Sequence, residues 1–377
     1  MQSPKISVIV PIYNVEPYID ECMRSLVTQT LHDMEIICVD DCGTDKSMDI
    51  VRKYADTDNR IKIIRNKQNI GLAASRNAGI AIARADYVMF FDSDDWVEPK
   101  MCKIMYDAIT RDNTDVVMCG VNVVYEADTH HKKSDTGYFR VKRPGIFDVT
   151  ENLIYQTCGI ACNKIFKRSI ISEHGIRFPD GLKYEDVCFF NMYMLWANKM
   201  SFITDKLYNY RRRAGSIMNQ TFQQKSINHA IDGMGTATWY YNYIKSHGLL
   251  DSKKIYFWRN VFINNFYFAL DNASNPDHRR EIFDYAIDFI RTNAKSELPK
   301  PIVKMLEMIL MRNDTMFHGV KYMGGIIRIK YYTTRLKIKL LGVPVWRVKY
   351  FDNRERFDLF AFIPVWVRKS PMVRVNL

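Results

Sequence analysis

The chain has 377 residues, of which 47% are hydrophobic and 25% charged, the balance of an ordinary globular protein long enough for two domains. No run approaches the roughly 20 apolar residues of a membrane-spanning helix, and the N-terminus MQSPKISVIV lacks a signal-peptide pattern. We therefore expect a cytoplasmic protein. The eight cysteines form no CxxC pair and have no matching histidine set, which is typical of reduced structural thiols.

The net charge of +12 comes from the C-terminal tail. Residues 321–377 contain 13 Lys and Arg against three acidic residues, whereas residues 1–320 contain 41 basic and 39 acidic residues. No nucleic-acid recognition motif accompanies this charge, so the sequence does not indicate a nucleic-acid partner.

The N-terminal third alternates between predicted strands and helices. We predict that Pro11 breaks the first strand. The order predicts an α/β fold with a mostly parallel, Rossmann-like sheet, whose ligands bind at the carboxyl ends of the strands. The predicted strands are 5–10, 34–41, 60–66, 87–91 and 114–124, and the predicted helices are 18–28, 47–54 and 69–85.

A cluster of carboxylates follows the fourth predicted strand. The stretch FFDSDDWV, residues 90–97, contains Asp92, Asp94 and Asp95. Carboxylates this close repel one another unless they are solvated or neutralised, so they suit a hard divalent metal that holds substrate phosphates. The alternative is an acidic turn before the helix that begins near Pro99.

Other polar residues fall at the same predicted sheet edge. Tyr13 offers an aromatic face to a base, Asp41 an acceptor for a base N–H, and Arg76, near a helix start, a donor to base or phosphate. Together they favour a nucleoside diphosphate. The alternatives are a packing role for Tyr13 and a surface ion pair for Arg76.

The segments SVIVPIYN, EIICVDDCGTDKS, NIGLAASRNAGI and FFDSDDWV together resemble the inverting family 2 glycosyltransferases of the GT-A fold, of the bacterial surface-polysaccharide type. The resemblance covers roughly residues 4–125. It implies a donor site that holds the base, the ribose and a divalent cation, manganese or magnesium. The implied donor-binding residues are Pro11, Tyr13, Asn14, Asp41, Arg76, Asp92, Ser93 and Asp94, and the favoured metal ligands are Asp94 and Asp95 rather than Asp92.

A second acidic pair stands in GLKYEDVCF. Glu185 and Asp186 precede an apolar helical segment, where acids in the first turn are stabilised by the helix dipole. Family members carry a comparable pair, one of whose carboxylates is the catalytic base. The resemblance therefore implies that Asp186 is the base and that Glu185 is the neighbour that orients the acceptor. A single in-line displacement needs one such carboxylate.

Three arginines, Arg211 to Arg213, precede AGSIM, which resembles the segment that closes over the site in many relatives. Arg stands here where those relatives carry His. These arginines could bind the leaving diphosphate or an anionic acceptor through bidentate contacts, with a solvated basic turn as the alternative. We predict that Arg211 and Arg213 contact the donor. His130 and His131 lie in a polar excursion and favour a solvated loop over a metal site.

The remaining chain is predicted to be mainly helical and then to end in short strands. We predict a catalytic domain over 1–220, a helical acceptor-side region over 221–320 and a basic tail over 321–377. The tail contains a near-repeat, LLGVPVWRVK and FAFIPVWVRK, which predicts a hairpin. It would serve as a structural cap, an oligomer contact, or an attachment to the anionic inner face of the cell membrane.

The expected activity is transfer of a hexosyl or N-acetylhexosaminyl group from a UDP-sugar to a hydroxyl of a cell-surface glycan or its lipid-linked precursor. The alternative is a non-catalytic module that binds sugar nucleotides or glycans at the membrane surface. A sugar-nucleotide-forming nucleotidyltransferase is disfavoured, because no Gly-rich, Arg- and Lys-bearing signature lies near the N-terminus.

Overall fold

The computed structural model divides the chain into two compact units, Met1–Val303 and Lys304–Leu377. The predicted boundary after residue 220 lies inside the first unit, and the division into three domains stays a prediction. His130 and His131 lie outside the described residues. The structure describes residues 3–126, 133–134, 143–150, 153–154, 157–213, 227–252, 254–273, 276–294, 297–300, 302–304, 306–307, 327–332, 335–340, 343–351, 354–359 and 363–367.

The first unit is built on one mixed sheet. Its strands are β1 (Ile6–Ile12), β2 (Met34–Asp40), β3 (Ile61–Arg65), β4 (Tyr87–Phe90), β5 (Trp96–Val97), β6 (Val116–Tyr125), β7 (Lys133–Ser134), β8 (Gly145–Asp148), β9 (Lys164–Lys167) and β10 (Lys199–Arg212). They lie in the order β3-β2-β1-β4-β9-β6-β10-β5, with β7 beside β6 and β8 beside β10. The first four strands of this order are parallel, as are β6 and β10, whereas β9 is antiparallel to both neighbours. The predicted mostly parallel α/β sheet is confirmed.

Helices of the first unit cover the sheet and then continue as a helical region. They are α1 (Glu16–Val27), α2 (Ser47–Ala55), α3 (Gly71–Ile82), α4 (Met101–Asp112), α5 (Arg168–Glu173), α6 (Glu185–Met194), α7 (Ile227–Ser246), α8 (Ile255–Asn272) and α9 (Pro276–Phe289), with a π-helical turn at Ile290–Ala294. None of the described helices is both long and apolar enough to cross a bilayer. The aromatic side chains of α7 and α8 are largely core, as predicted, with Trp258 fully buried.

Pro11 does not break the first strand, and that prediction is wrong. Strand β1 continues to Ile12, in parallel register with β2, so that Pro11 lies opposite Val39. The ladder from β1 to β4 ends at Ile9. Alternate residues of a parallel strand bond to opposite neighbours. The missing N–H of Pro11 therefore falls on the side where no ladder remains.

A buried carboxylate stabilises the sheet near its β3 edge. Glu35 of β2 accepts hydrogen bonds from the Ser7 hydroxyl at 2.6 Å, from Lys62 Nζ at 2.6 Å and from the main-chain N–H of Arg84 at 2.8 Å. Burial by itself raises the pKa of Glu35, but these hydrogen bonds outweigh it and lower the pKa to about 2. The ionised carboxylate thus links β1, β2 and β3.

The second unit is an antiparallel meander of five strands in the order β11-β12-β13-β14-β15, formed by Ile327–Tyr332, Arg335–Leu340, Val343–Phe351, Arg354–Leu359 and Ile363–Val367. The predicted hairpin between the two Pro-Val-Trp segments is wrong. Strand β14 lies between them and pairs with both, so the two segments are not adjacent strands.

Replacement of Glu35 by Gln should lower the free energy of unfolding at pH 7 by about 1–3 kcal/mol. The amide has one acceptor oxygen and cannot accept all the bonds of the carboxylate, which include a fourth from Arg84 Nε at 3.1 Å. The pKa of Glu35 is lower in the folded chain than the ordinary 4.5. The stabilisation is therefore complete above pH 4.5 and is lost as the pH falls toward about 2. Urea unfolding at pH 7 and pH 3 measures both effects. An equal loss in the exposed control Glu173→Gln would contradict the assignment.

Candidate active site

A cleft of about 1250 Å³ opens at the carboxyl ends of β1, β2 and β4. It is lined by the loop after β1, the start of α3, the acidic turn after β4 and the start of α6, and also by residues 154 and 157–162, the end of β10 and helix α8. Every sequence-predicted site residue except Asp95 lines it: Pro11, Tyr13, Asn14, Asp41, Arg76, Asp92, Ser93, Asp94, Glu185, Asp186, Arg211 and Arg213.

The loop after β1 holds an open aromatic ring. Tyr13 is 47% exposed, and its neighbour Asn14 has the left-handed backbone angle φ 49°. The Asn14 side chain accepts a hydrogen bond from the main-chain N–H of Thr44 at 2.8 Å. A Cβ on Gly43 would lie 3.0 Å from both the Asn14 nitrogen and its Oδ1, so this close approach requires glycine. The two loops are thereby held together at the predicted base-binding edge.

Asp41 is buried at the end of β2 and organises the start of α3. Its carboxylate accepts hydrogen bonds from Asn66 Nδ2 at 2.8 Å and from the main-chain N–H groups of Ile70 and Gly71 at 2.9 Å. These are N–H groups that a helix start leaves without intrahelical partners. Asp41 thus fixes the position of α3 as well as lining the cleft.

Helix α3 packs so closely on β1 that its backbone position leaves no room for a side chain at Gly79. A Cβ there would lie 2.4 Å from the Ile9 Cγ2. One turn earlier on the same helix, Arg76 is 3% exposed. Close packing at Gly79 and the Asp41 contacts at Gly71 hold the helix that carries Arg76.

Arg76 joins the two acidic groups of the site. Its Nη2 donates to Asp92 Oδ1 at 2.6 Å, and its Nη1 donates to Glu185 Oε1 at 2.5 Å. The guanidinium also lies 5.1 Å from the centre of the Phe178 ring. Burial works against the charge of Arg76, but Asp92 and Glu185 outweigh it and raise its pKa above the ordinary value. Residues 93 positions apart in the sequence therefore meet at one cation.

Glu185 and Asp186 occupy different environments although they are adjacent. Glu185 is 7% exposed and bound to Arg76, whereas Asp186 is partly exposed and lines the cleft. Burial raises the pKa of Asp186, the charge of Arg76 lowers it, and the net direction is upward. A carboxylate that reaches the cleft and has a raised pKa is suited to accept a proton.

Two positions near this pair escaped the sequence reasoning. Tyr184, which precedes Glu185, has φ 62° and ψ 28°, a left-handed conformation that is uncommon outside glycine. Lys164 is fully buried and donates to the carbonyl oxygens of Cys158 at 2.7 Å and Ile160 at 2.5 Å. Those two residues line the cleft. A lysine just before an apolar strand is the only signal the sequence offered.

The acidic turn after β4 has two faces. Asp94 lines the cleft, and its Oδ2 accepts a hydrogen bond from Arg213 Nε at 2.8 Å. Asp95 is 2% exposed, and its two oxygens accept hydrogen bonds from the Tyr208 hydroxyl and the Arg211 main-chain N–H, each at 2.7 Å. Asp95 therefore points into the protein, away from the cleft-lining set.

Arg211 stabilises the acidic turn after β4. Its Nε donates to the Asp94 carbonyl oxygen at 2.8 Å and its Nη2 to Glu21 at 2.5 Å, and its guanidinium lies 4.7 Å from the centre of the Trp96 ring. The guanidinium of Arg211 is therefore already bound by groups of the protein itself. The predicted diphosphate contacts of Arg211 and Arg213 stay predictions.

Comparison with known proteins identifies the family. The profile described as Glycosyl transferase family 2 matches residues 7–175. EpsH of Bacillus subtilis is 36% identical over 228 residues, which are 60% of this chain and 65% of EpsH. Glycosyltransferase GlyG of Streptococcus pneumoniae is 33% identical over 227 residues, 58% of this chain and 75% of GlyG. The chain belongs to the family 2 glycosyltransferases.

The fold has a solved counterpart. Residues 1–349 of TarS of Staphylococcus aureus, in complex with UDP-GlcNAc, match with a TM-score of 0.67 and 23% identity over 89% of this chain and 97% of that one. The GT-A fold that the sequence predicts is confirmed. In this family 2 glycosyltransferase the predicted donor end and the predicted base lie in one cleft, on either side of Arg76.

The acidic turn fits a divalent cation of the kind that is held by one or two carboxylates together with substrate phosphates. Burial, followed by the charge of Asp92, raises the pKa of Asp94. Burial, followed by the charges of Asp94 and Asp92, raises the pKa of Asp95. A bound cation would offset the burial and the mutual repulsion of these carboxylates. Within the described residues no group of three or more His, Cys, Asp or Glu is arranged as a complete protein site.

Replacement of Arg76 by Met should lower the free energy of unfolding by about 3–5 kcal/mol, because Glu185 and Asp92 would lose their shared cation. Arg76→Lys should cost less but should not restore the wild-type value, since one ammonium replaces two separately directed N–H donors. Urea unfolding measures both. The control is Arg24→Met, which removes an exposed ion pair to Asp20 and should have little effect on stability. Equal losses at positions 76 and 24 would contradict a structural role for Arg76.

Proposed function

We propose that this family 2 glycosyltransferase moves a sugar, with inversion, from a UDP-sugar to a hydroxyl of a cell-surface glycan or its lipid-linked precursor. The observation that carries the proposal is the Arg76 bridge, which places the acidic turn and the Asp186 carboxylate around one cleft. The UDP-GlcNAc of the TarS structure supports the choice of nucleotide. We retain a hexosyl or N-acetylhexosaminyl group as the transferred sugar.

The donor occupies the β1, β2 and β4 end of the cleft. Tyr13 stacks on the base, and Asp41 shares its acceptor oxygens between the start of α3 and a base N–H. Asp92 and Ser93 bind the ribose. Because Arg76 already neutralises Asp92, the ribose meets a partly screened carboxylate. This arrangement leaves the sugar directed toward α6.

Asp186 acts as the base. Its carboxylate takes the proton of the acceptor hydroxyl as the hydroxyl oxygen forms a bond to the anomeric carbon. The bond from that carbon to the diphosphate oxygen breaks on the opposite face, and its electron pair leaves with UDP. Glu185, held by Arg76, keeps the first turn of α6 in place and orients the acceptor.

A divalent cation, manganese or magnesium, neutralises the leaving diphosphate when it is bound. We propose that Asp94 holds this cation, whereas Asp95, the other predicted ligand, accepts hydrogen bonds from Tyr208 and Arg211 and supports the turn from inside the protein. Asp94 is the one of these two that lines the cleft. Arg213, bonded to Asp94 at 2.8 Å, steadies that carboxylate.

We also propose that the tail places the enzyme on an anionic membrane surface at the inner face of the cell membrane. The tail contains 13 Lys and Arg against three acidic residues, and a positively charged segment of this kind is attracted to anionic lipid. The full chain should sediment with phosphatidylglycerol vesicles and a chain truncated near residue 320 should not. Undiminished sedimentation of the truncated chain would favour the oligomer-contact alternative.

Replacement of Asp186 by Asn should reduce kcat for transfer by about 10²–10⁴-fold, because the amide cannot accept the proton. The affinity for UDP should not change. Transfer should also be lost in the wild type as the pH falls through the pKa of Asp186, at a pH above the ordinary value for Asp of about 3.9. Initial rates and UDP titration measure these effects. The control is the exposed Asp56→Asn, and equal activity of all three proteins would exclude Asp186 as the base.

Chelation of divalent cations should abolish hydrolysis of the UDP-sugar, and manganese should restore it. The Asp94→Asn variant should need a manganese concentration higher by roughly 10- to 100-fold, since loss of even an outer-shell partner has that effect on metal affinity. A titration of hydrolysis rate against manganese checks this. Full activity in the presence of excess EDTA would rule out the metal proposal.

A further inference from the structure

Helix α8 lines the cleft with one stripe of side chains. Phe257, Val261, Asn264 and Phe268 recur at three- and four-residue spacing, and Asn260 and Asn265 flank them. Asn264 is exposed and Phe257 and Phe268 are half-buried. The stripe therefore combines amide groups with aromatic faces at the surface of the cleft.

The stripe is fixed relative to the candidate base. The ring of Phe268 packs edge-on against Tyr184, with ring centres 5.3 Å apart, and Tyr184 comes two residues before Asp186. On the other side of the helix, Trp258 Nε1 donates to the Ala237 carbonyl oxygen at 2.8 Å, which anchors α8 to α7. An acceptor whose hydroxyl lies at Asp186 can therefore extend to α8.

The α8 stripe differs in charge from the donor end of the cleft. Every charged residue that lines the cleft lies in the first 213 residues, at the end of β2, on α3, in the acidic turn, at the start of α6 and at the end of β10. None of the lining residues that the described parts of α7 and α8 contribute is charged. Arg259, the nearby cation on α8, donates to Asn260 Oδ1 at 3.1 Å and lies 4.9 Å from the centre of the Tyr256 ring.

We propose that the α8 stripe is the acceptor subsite and that it binds an uncharged pyranose residue, an assignment that rests on the proposed function. Asparagine amides both donate to and accept from sugar hydroxyls. Aromatic faces suit the apolar face of a pyranose ring. A polyanionic acceptor would need Lys or Arg side chains in bidentate or paired contact with its charged groups. The lining residues in the described parts of α7 and α8 include neither. In this respect the acceptor differs from the poly(ribitol phosphate) for which TarS is named.

Binding of acceptor probes to the full chain, in the presence of UDP, tests the subsite without depending on catalysis. The neutral probes are p-nitrophenyl β-glycosides of glucose, galactose and N-acetylglucosamine, and the anionic probe is poly(ribitol phosphate). We expect at least one neutral glycoside to bind. Asn264→Ala and Phe257→Ala should each weaken that binding by about 3- to 10-fold, the effect of losing one hydrogen bond or ring contact.

The matched control is Asn59→Ala, an exposed asparagine outside the cleft, which should leave the binding unchanged. UDP affinity should stay within about 2-fold in all variants, which also shows that they are folded. The inference is overturned if only poly(ribitol phosphate) binds, if neither class binds, or if both cleft variants bind the glycoside as the wild type does. Hydrolysis of UDP-sugar without acceptor is measured in parallel. Its absence in the wild type would count against the proposed function and not against the subsite.

Discussion

Two ion pairs to a single buried guanidinium hold this site together. Arg76 is 3% exposed and binds Asp92 at 2.6 Å and Glu185 at 2.5 Å. An uncompensated charge at such depth would be strongly destabilising, so the cation and both carboxylates must be present together. The donor turn and the first turn of α6 are therefore positioned by one another, and the partly exposed Asp186 takes its place in the cleft as a consequence.

The surrounding scaffold is rigid for identifiable reasons. Helix α3 cannot move toward β1, because Gly79 already meets Ile9, and its first turn is held by the buried carboxylate of Asp41. Tyr184 keeps a left-handed backbone angle one residue before the acidic pair and packs on α8. Local strain of this kind persists only where the surroundings determine it, and it is concentrated here between the candidate base and the candidate acceptor wall.

The sequence was sufficient for the mostly parallel α/β sheet, for the family, and for the sequence-predicted residues that line the cleft, because strand ends and motif spacing are local properties. It was insufficient wherever the direction of a side chain depended on contacts with residues that are distant in the sequence. Asp95 shares a motif with Asp94 but points inward to Tyr208. Arg211 donates a hydrogen bond to the main chain of the acidic turn, at the Asp94 carbonyl oxygen. Strand β14 separates two segments whose similarity suggested a hairpin. The burial of Glu35 and Lys164 likewise depends on partners that lie elsewhere in the fold.

The central claim is that one carboxylate and one displacement carry out the transfer. The most direct measurement is the anomeric configuration of the first-formed product from an α-linked UDP-sugar, followed by proton NMR during the reaction. A single displacement with Asp186 as base predicts a β-linked product. An α-linked first product would mean that the anomeric configuration is retained, which a single in-line displacement cannot give, and it would contradict the account.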